Sequence, residues 1–319
     1  MRALLSFLQK HFSAICYPLQ MVLTFIEYHL FDFFWAWKGY RKPSAEDAAL
    51  IASNVTFIFK SFERQKQAEA LFKSIRKYYP GVRVVIADDS SKPLAIEGDD
   101  LLIIQMPFNS GLSRGLNLAL AEVKTPFLMR MDDDELLTRR SDIAGELRFL
   151  LANPEVDIVG IPSIDAMKFR SMRKYMQSYF KTPMIEAPLP LKIPHGSRID
   201  ANHIVLGKIP NRFLARTESI RKVGWDDKIR MIDHHDFFFR AAGVLVSVVS
   251  TNSIVYHNHN FFSPNYNRYR SDWKGDALYI RKTRYGHRAK NTVVSNRNDQ
   301  GKDVERSVSV VNNGGSGNN

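Results

Sequence analysis

The sequence has little cysteine and no long uninterrupted apolar segment. Cys16 is the only cysteine among 319 residues, which excludes an internal disulfide framework and fits a reducing compartment. Lys10, Glu27 and Asp32 interrupt the apolar N-terminus, so no clean run of about 18 residues is available to span a bilayer. A small-residue cleavage site is missing as well. No GxGxxG or GxxxxGK[ST] pattern occurs, so neither a dinucleotide fingerprint nor a P-loop is predicted.

Positive charge is in excess. The net charge is +12, the isoelectric point is about 9.7, and 45% of the residues are hydrophobic. A chain of this length and composition can bury a full core, either as one large domain or as one domain with appendages. The excess of basic over acidic residues predicts an anionic partner, which could be nucleic acid, an acidic membrane or a phosphate-bearing small molecule.

Residues 1–45 form an aromatic and basic N-terminal segment. Such a composition suits an interfacial helix that lies in the headgroup plane of a membrane. The alternative is a helical pair that packs on the main domain. Attachment to the cytoplasmic face of a membrane, as a peripheral protein, is the prediction that we carry forward. The residues that favour it are Phe25, Phe31, Phe33, Phe34, Trp35, Trp37, Lys38, Arg41 and Lys42.

Strand and helix patterns alternate from Ser53 onward. Short apolar runs predict strands, and apolar residues at helical spacing predict helices. Alternation of this kind implies a mostly parallel sheet that binds ligands at the carboxyl ends of its strands. The predicted strands are 55–59, 82–87, 101–105, 127–131 and 156–161, and the predicted helices are 64–78, 112–122 and 143–152.

Two predicted strands end in carboxylates. The strand at 82–87 is followed by Asp88 and Asp89, and the strand at 127–131 by Asp132, Asp133 and Asp134. The first pair could accept hydrogen bonds from a base or ribose, or could simply start a turn. The triplet suits a hard divalent cation such as Mg²⁺ or Mn²⁺, with a solvated acidic turn as the alternative. Two acidic ends on one sheet favour a ligand site.

These motifs resemble the inverting GT-A glycosyltransferases of family 2. The resemblance rests on Val84–Ser90 (VVIADDS), on the pattern Asn109-x-Gly111-x-x-Arg114-Gly115-x-Asn117 and on Met131–Asp134 (MDDD). The phrases VTFIFKSFERQ, LFKSIRKYYPGVRVVIADDS and MPFNSGLSRGLNLAL are most similar to the ganglioside-type β-1,4-N-acetylgalactosaminyltransferases and their bacterial relatives. The implied fold is α/β, a mostly parallel nucleotide-binding sheet flanked by helices, preceded by the N-terminal amphipathic helical segment.

The resemblance implies transfer of a hexose or N-acetylhexosamine, with N-acetylgalactosamine in β-1,4 linkage as the first choice. UDP-sugar would be the donor and a glycan or lipid-linked oligosaccharide the acceptor, with Mn²⁺ or Mg²⁺ as cofactor. The implied metal ligands are Asp132, Asp134 and His257, with His259 as the fallback for the histidine. The implied nucleotide-sugar residues are Phe59, Asp88, Asp89, Asn109, Gly111, Arg114, Asn117, Asp132 and Asp133.

Inversion also needs a base that takes the proton of the acceptor hydroxyl. The resemblance places it in the segment Asp233–Arg240 (DHHDFFFR). Asp236 is the first choice, Asp233 the second, and His234 an orienting or alternative group. Trp225 could stack on a sugar face or could pack against the sheet.

The predicted domains are the N-terminal segment 1–45, a glycosyltransferase domain over 46–290 and a disordered tail over 291–319. The middle domain divides into a nucleotide-sugar half (53–135), an acceptor half (136–260) and a basic aromatic tail (261–290). Interleaved basic and aromatic residues are also typical of single-stranded nucleic-acid grooves. A non-enzymatic binder of nucleic acid or acidic lipid is therefore the alternative function. Because such a binder gains nothing from the acidic triplet, the enzyme without a nucleic-acid partner is favoured.

Overall fold

The structure is a computed structural model, and it describes residues 11–166, 188–258, 262, 263, 266, 269 and 273–285. The chain divides into two compact units, residues 1–276 and 277–319. Within the second unit the described residues are 277–285, which form the end of one helix and one further residue. His259 and the tail predicted to be disordered lie outside the described residues.

Helices and strands alternate through most of the first unit. The helices are α1 (Ser13–Trp37), α2 (Ala45–Asn54), α3 (Gln65–Tyr78), α4 (Leu112–Ala121), α5 (Ile143–Ala152), α6 (Thr217–Val223), α7 (Asp233–Ala241) and α8 (Trp273–Arg284). The strands are β1 (Val55–Ser61), β2 (Arg83–Asp88), β3 (Leu101–Gln105), β4 (Phe127–Arg130), β5 (Glu135–Leu136), β6 (Ile158–Gly160), β7 (Ser163–Asp165), β8 (His203–Val205), β9 (Phe213–Arg216), β10 (Ser247–Ser250) and β11 (Val255–His257).

Eight of the strands form one sheet in the order β3-β2-β1-β4-β9-β6-β10-β8. The pairs β3–β2, β2–β1, β1–β4 and β6–β10 are parallel, whereas β9 runs antiparallel to both β4 and β6. A smaller sheet has the order β5-β11-β7. Because β1, β2 and β4 are parallel, their carboxyl ends lie along one edge, where the sequence places its acidic residues.

Apolar residues cover both faces of the large sheet. Phe57, Val84 and Met129 belong to one core cluster, which also contains residues of α3 and α5. Ile58, Val85 and Leu128 point to the opposite face and belong to a second cluster with residues of α4 and α7. Successive strand residues alternate between the two faces, and burial of both faces explains why these strands read as continuous apolar runs.

The predicted order of elements is confirmed from β1 to β6. Helix α3 lies within the predicted 64–78, while α4 ends one residue before the predicted limit and β6 is shorter than the predicted strand 156–161. At the N-terminus the structure has the 25-residue helix α1 followed by α2, and the latter begins with a capping box between Ser44 and Asp47. No helix in the described part of the chain is long and apolar enough to cross a membrane.

Candidate functional site

The acidic residues at the carboxyl end of β2 are held by nearby backbone groups. Both oxygens of the Asp88 carboxylate accept backbone N–H bonds, from Ser90 at 3.0 Å and from Leu94 at 2.8 Å. Asp89 accepts the backbone N–H of Gly111 at 3.0 Å and pairs with Lys60 at 2.5 Å. Both aspartates are fully buried. Their carboxylates therefore shape the loops at this edge of the sheet.

The loop before α4 is fixed to the same edge. Asn109 and Gly111 both have positive φ angles, 54° and 102°, and a Cβ on Gly111 would lie 3.2–3.3 Å from atoms of Arg230. Glycine is therefore required at position 111 for its backbone conformation and for this close approach. Asn117 on α4 donates to the carbonyl of Trp225 and accepts the N–H of that residue. Arg114 is exposed on the first turn of α4.

Arg64 balances the acidic triplet at the end of β4. This residue directly precedes α3, and its guanidinium binds Asp133 through two nitrogens and Asp134 at 2.7 Å. Both carboxylates are almost fully buried. Burial raises the pKa of Asp133 to about 6, against the opposing charge of Arg64. The triplet thus holds a cation, and in this structure the cation is a guanidinium.

The small sheet brings His257 to the triplet. In its register, His257 of β11 lies opposite Glu135 of β5 and Asp165 of β7. His257 Nδ1 lies 2.9 Å from Asp165 and Nε2 lies 3.4 Å from Asp134. Although burial acts to lower it, the pKa of His257 is raised to about 10 by the neighbouring aspartates. Of the predicted metal ligands, Asp134 and His257 therefore lie together.

Arg130 connects the triplet to α7. Its side chain is fully buried in β4, where it lies 2.8 Å from Asp132 and 3.7 Å from Asp233. Asp132 is the more exposed member of the triplet, with 31% of its side chain accessible. Burial raises the pKa of Asp233 to about 6, although Arg130 opposes the shift. Asp233 is therefore a carboxylate at the acidic site with a pKa near neutrality.

The other two candidate bases on α7 have different surroundings. Asp236 pairs with Arg240 at 2.7 Å, and that arginine also donates to the carbonyls of Val223 and Gly224. The ring of His234 lies 2.6 Å from the carbonyl oxygen of Ile209. Burial lowers the pKa of His234 well below its usual value, so the ring is neutral and donates to this carbonyl. Asp233 and Asp236 thus have different partners, since Asp233 lies near Arg130 and Asp236 pairs with Arg240.

Two aromatic residues that were candidates for ligand contact lie in the core. Phe59 is fully buried in the first core cluster, so its ring packs against the sheet and offers no surface to a nucleotide. Trp225 is 5% exposed and stacks on Phe237 at 5.3 Å. The sugar-stacking alternative for Trp225 is therefore wrong in this structure, because the indole face is already covered.

The aromatic tail reaches the acidic edge of the sheet. The guanidinium of Arg64 lies 3.9 Å from the ring of Tyr266, a distance typical of a cation–π contact. Tyr269 packs edge-to-face against Phe62 and Phe108. Of the described rings of the tail, Tyr266 thus contacts the arginine that binds the triplet.

The donor atoms at this edge suit a hard divalent cation. Carboxylate oxygens and an imidazole are ligands that Mn²⁺ accepts, and the triplet already binds a positively charged group. Asp134 and His257 would hold such an ion, whereas Asp132 is directed to Arg130. Among the residues that the structure describes, no three His, Cys, Asp or Glu side chains are grouped as a metal ion would require.

Sequence reasoning missed both arginines that organise the site. Arg130 gave a signal, because a lone arginine within the apolar strand FLMR must find a buried partner. Arg64 gave a weaker one, since it follows β1 at the edge where the carboxylates were expected. Asp165 gave none, because its proximity to His257 arises only when β7 and β11 pair.

The fold and site define an α/β domain with a charged ligand site at the carboxyl edge of a mostly parallel sheet. Residues 56–212 match the sequence profile of glycosyl transferase family 2. This stretch therefore matches the family that its motifs predicted.

Curated relatives point in the same direction. The chain is 33% identical over 204 residues to beta-1,4 N-acetylgalactosaminyltransferase 1 of Rattus norvegicus, a match that covers 61% of this chain and 37% of the relative. It is 32% identical over 196 residues to beta-1,4 N-acetylgalactosaminyltransferase 2 of Mus musculus, covering 61% and 38%. The chain thus spans little more than a third of the length of these relatives.

Among solved structures, S. aureus TarS 1-349 is similar with a TM-score of 0.48 and 16% identity, over 64% of this chain and 60% of that one. The same protein in complex with UDP-GlcNAc gives a TM-score of 0.46 at 14% identity, over 64% and 58%.

Proposed function

We propose that this chain transfers a hexose or N-acetylhexosamine from a UDP-sugar to a hydroxyl group of a glycan or glycolipid, with inversion at the anomeric carbon. N-acetylgalactosamine in β-1,4 linkage is the first choice, because the matched relatives carry that activity in their names. The observation that carries the proposal is the buried acidic edge, where Asp134 and His257 lie together and Arg130 joins Asp132 to Asp233. A binding protein has no use for such a cluster.

The residues at this edge can serve the donor. We propose that Asp134 and His257 hold Mn²⁺ or Mg²⁺, with displacement of the proton that His257 carries between Asp134 and Asp165. When bound, the ion would neutralise charge on the diphosphate leaving group. Arg64 and Lys60 supply further positive charge beside the triplet and the end of β2. A guanidinium is suited to phosphate oxygens because it donates in a planar fork.

The acceptor side needs a base that is ionised near neutral pH. Asp233 meets this need, because its carboxylate is bound to the site through Arg130 and its pKa is about 6. Above that pH the carboxylate can take the proton of the acceptor hydroxyl as the oxygen attacks the sugar. His234 positions the start of α7 through its bond to Ile209.

A donor panel tests this proposal. The full chain is incubated with a mixture of glycan and glycolipid acceptors and one of four donors, each with Mn²⁺ or with EDTA, and UDP release is measured. The donors are UDP-N-acetylgalactosamine, UDP-N-acetylglucosamine, UDP-galactose and UDP-glucose. We expect release from UDP-N-acetylgalactosamine with Mn²⁺, and NMR of the product should show the β-anomer. Absence of turnover with every donor, together with tight binding of single-stranded nucleic acid, would contradict the proposal and favour the binding protein.

A further inference from the structure

Helix α1 buries polar residues and exposes apolar ones. Its buried residues are Gln20, Thr24, Tyr28, Asp32 and Trp35, of which the first four follow each other at intervals of four and therefore share one face. The usual surface helix has the opposite arrangement, with its apolar stripe towards the core. The inverted pattern requires a separate explanation for each face.

The polar face is bonded to the α/β domain. Tyr28 donates to the carbonyl of Leu137 at 2.7 Å. Asp32 accepts from Tyr78 at 2.6 Å and pairs with Lys77 at 2.9 Å. A buried carboxylate with these partners stabilises one position of the helix, because leaving it unpaired would be costly. Helix α1 is thus fixed to the domain.

The outer face of α1 is apolar except for the exposed His29. Between residues 12 and 37, all of which the structure describes, no Asp, Glu, Lys or Arg is exposed. Phe33 and Trp37 are each 71% exposed. A contiguous apolar surface of this kind marks an interaction site. Its large exposed members are Phe12, Ile15, Leu19, Val22, Leu23, Phe25, Ile26, Leu30, Phe33, Phe34 and Trp37.

Charged residues at the end of α1 indicate which kind of partner its apolar face binds. Lys38, Arg41 and Lys42 directly follow the apolar face and are exposed, and the chain as a whole carries a net charge of +12. Lys38 lies 4.9 Å from the ring of Trp37. An aromatic and a basic side chain are therefore in contact at the end of α1. Aromatic rings at headgroup depth beside basic residues suit an acidic membrane surface.

We propose that α1 lies in the plane of an acidic membrane, with its apolar face among the lipids and its polar face bonded to the glycosyltransferase domain. The domain is thereby held in one orientation. Tyr256, which precedes His257, donates to Glu27 of α1 at 3.0 Å, so the helix contacts the strand that carries a site residue. An acceptor borne by the same membrane then reaches the site; this last point rests on the proposed function, whereas membrane docking does not.

Sedimentation with lipid vesicles tests the docking. The full chain is mixed with phosphatidylcholine vesicles that contain or lack phosphatidylglycerol, without donor or metal. We expect binding that is stronger with phosphatidylglycerol and that falls at least about tenfold in the double variant Phe33→Ser/Trp37→Ser, since two large apolar side chains leave the lipid. The control variant Leu118→Ser/Leu151→Ser, which removes exposed leucines outside α1, should bind like the wild type.

A separate measurement tests the contribution of the basic residues Lys38, Arg41 and Lys42 to membrane binding. The triple variant Lys38→Ala/Arg41→Ala/Lys42→Ala should lose only the part of the binding that depends on phosphatidylglycerol. Because every substituted side chain is exposed, the variants should melt like the wild type. As a second measurement, a spin label at Trp37→Cys in a Cys16→Ser background should report a bilayer environment, and one at Leu151→Cys should report water.

Three results would overturn the docking proposal. These are failure of the wild type to sediment with acidic vesicles, wild-type binding by Phe33→Ser/Trp37→Ser, and a dimer in lipid-free buffer that this variant dissociates. The last result would identify a second copy of the chain as the occupant. Transfer to a soluble acceptor separates this proposal from the proposed function, because the aromatic variant should keep that activity.

Discussion

The carboxylates that follow β2 and those that follow β4 are stabilised by different kinds of partner. Asp88 receives its hydrogen bonds from backbone N–H groups two and six residues away. Asp133 and Asp134 instead depend on Arg64, which is 69 and 70 residues away. Local backbone donors are part of the fold, whereas a distant side chain can be exchanged for another cation. We therefore expect substitutions at β2 to affect stability first and substitutions at β4 to affect activity first.

The sharpest test of this difference is Asp134→Asn. The variant should abolish sugar transfer and weaken Mn²⁺-dependent UDP binding, because a charged ligand is replaced by a neutral one. Its melting temperature without ligand should change little, because the lost ion pair with Arg64 is offset by weaker repulsion among the buried carboxylates, and Arg64 keeps Asp133 as a partner. Activity assays and thermal melts check both parts. Mn²⁺ affinity equal to the wild type would remove Asp134 from the metal site.

The next largest effect is expected at the base. Asp233→Asn should lower turnover by roughly 10²–10⁴-fold, the usual share of general-base catalysis, with little change in UDP affinity. In the wild type, turnover should rise as the pH increases through about 6, because the raised pKa of Asp233 keeps its carboxylate protonated below that value.

Asp236→Asn is the matched control for the base, since it removes a carboxylate from the same turn of α7. Its ion pair with Arg240 makes the expected result a loss of stability with a smaller loss of turnover. If Asp236→Asn inactivates the enzyme and Asp233→Asn does not, the base is Asp236, as the sequence first indicated.

Substitution of Arg64, the buried cation beside the triplet, should lower the free energy of unfolding. Arg64→Gln removes the guanidinium that pairs with the buried Asp133 and Asp134, which is expected to cost about 3–5 kcal/mol. The cost should be greater above the raised pKa of Asp133, about 6, because protonation below that pH relieves the buried charge. Added Mn²⁺ should restore more stability to this variant than to the wild type. An equal Mn²⁺ effect in both proteins would show that Arg64 and the metal do not share a site.

At the other strand end, Asp88→Asn should lower stability by about 1–3 kcal/mol, the cost of one unsatisfied buried group. The amide nitrogen of asparagine cannot accept the N–H of Ser90 or Leu94, so one of the two bonds is lost. Chemical denaturation measures the change. A variant with wild-type stability and no activity would assign Asp88 to the ligand and not to the loop.

Much of this architecture could be predicted because it depends on local pattern. The apolar runs of β1, β2 and β4 and the spacing of α3 are sufficient to predict parallel strands, of which β2 and β4 end in carboxylates. The ion pairs could not be predicted, since Arg64 meets Asp133 only after the sheet has formed. The burial of Phe59 could not be predicted, because it depends on which face of β1 the residue occupies. The burial of Trp225 depends on its contact with Phe237 of α7, which forms only in the folded chain. At the N-terminus, one face of α1 packs on the domain, and attachment of the segment to a membrane stays a prediction.

The most direct test of the account is the cation dependence of UDP release from UDP-N-acetylgalactosamine, measured for the wild type, Asp134→Asn and Asp88→Asn at a temperature where all three are folded. The account predicts that Mn²⁺ stimulates the wild type strongly, has no effect on Asp134→Asn and still stimulates Asp88→Asn. Full activity of Asp134→Asn with Mn²⁺, or wild-type turnover that EDTA leaves unchanged, would contradict the assignment of the β4 edge as the metal and donor site.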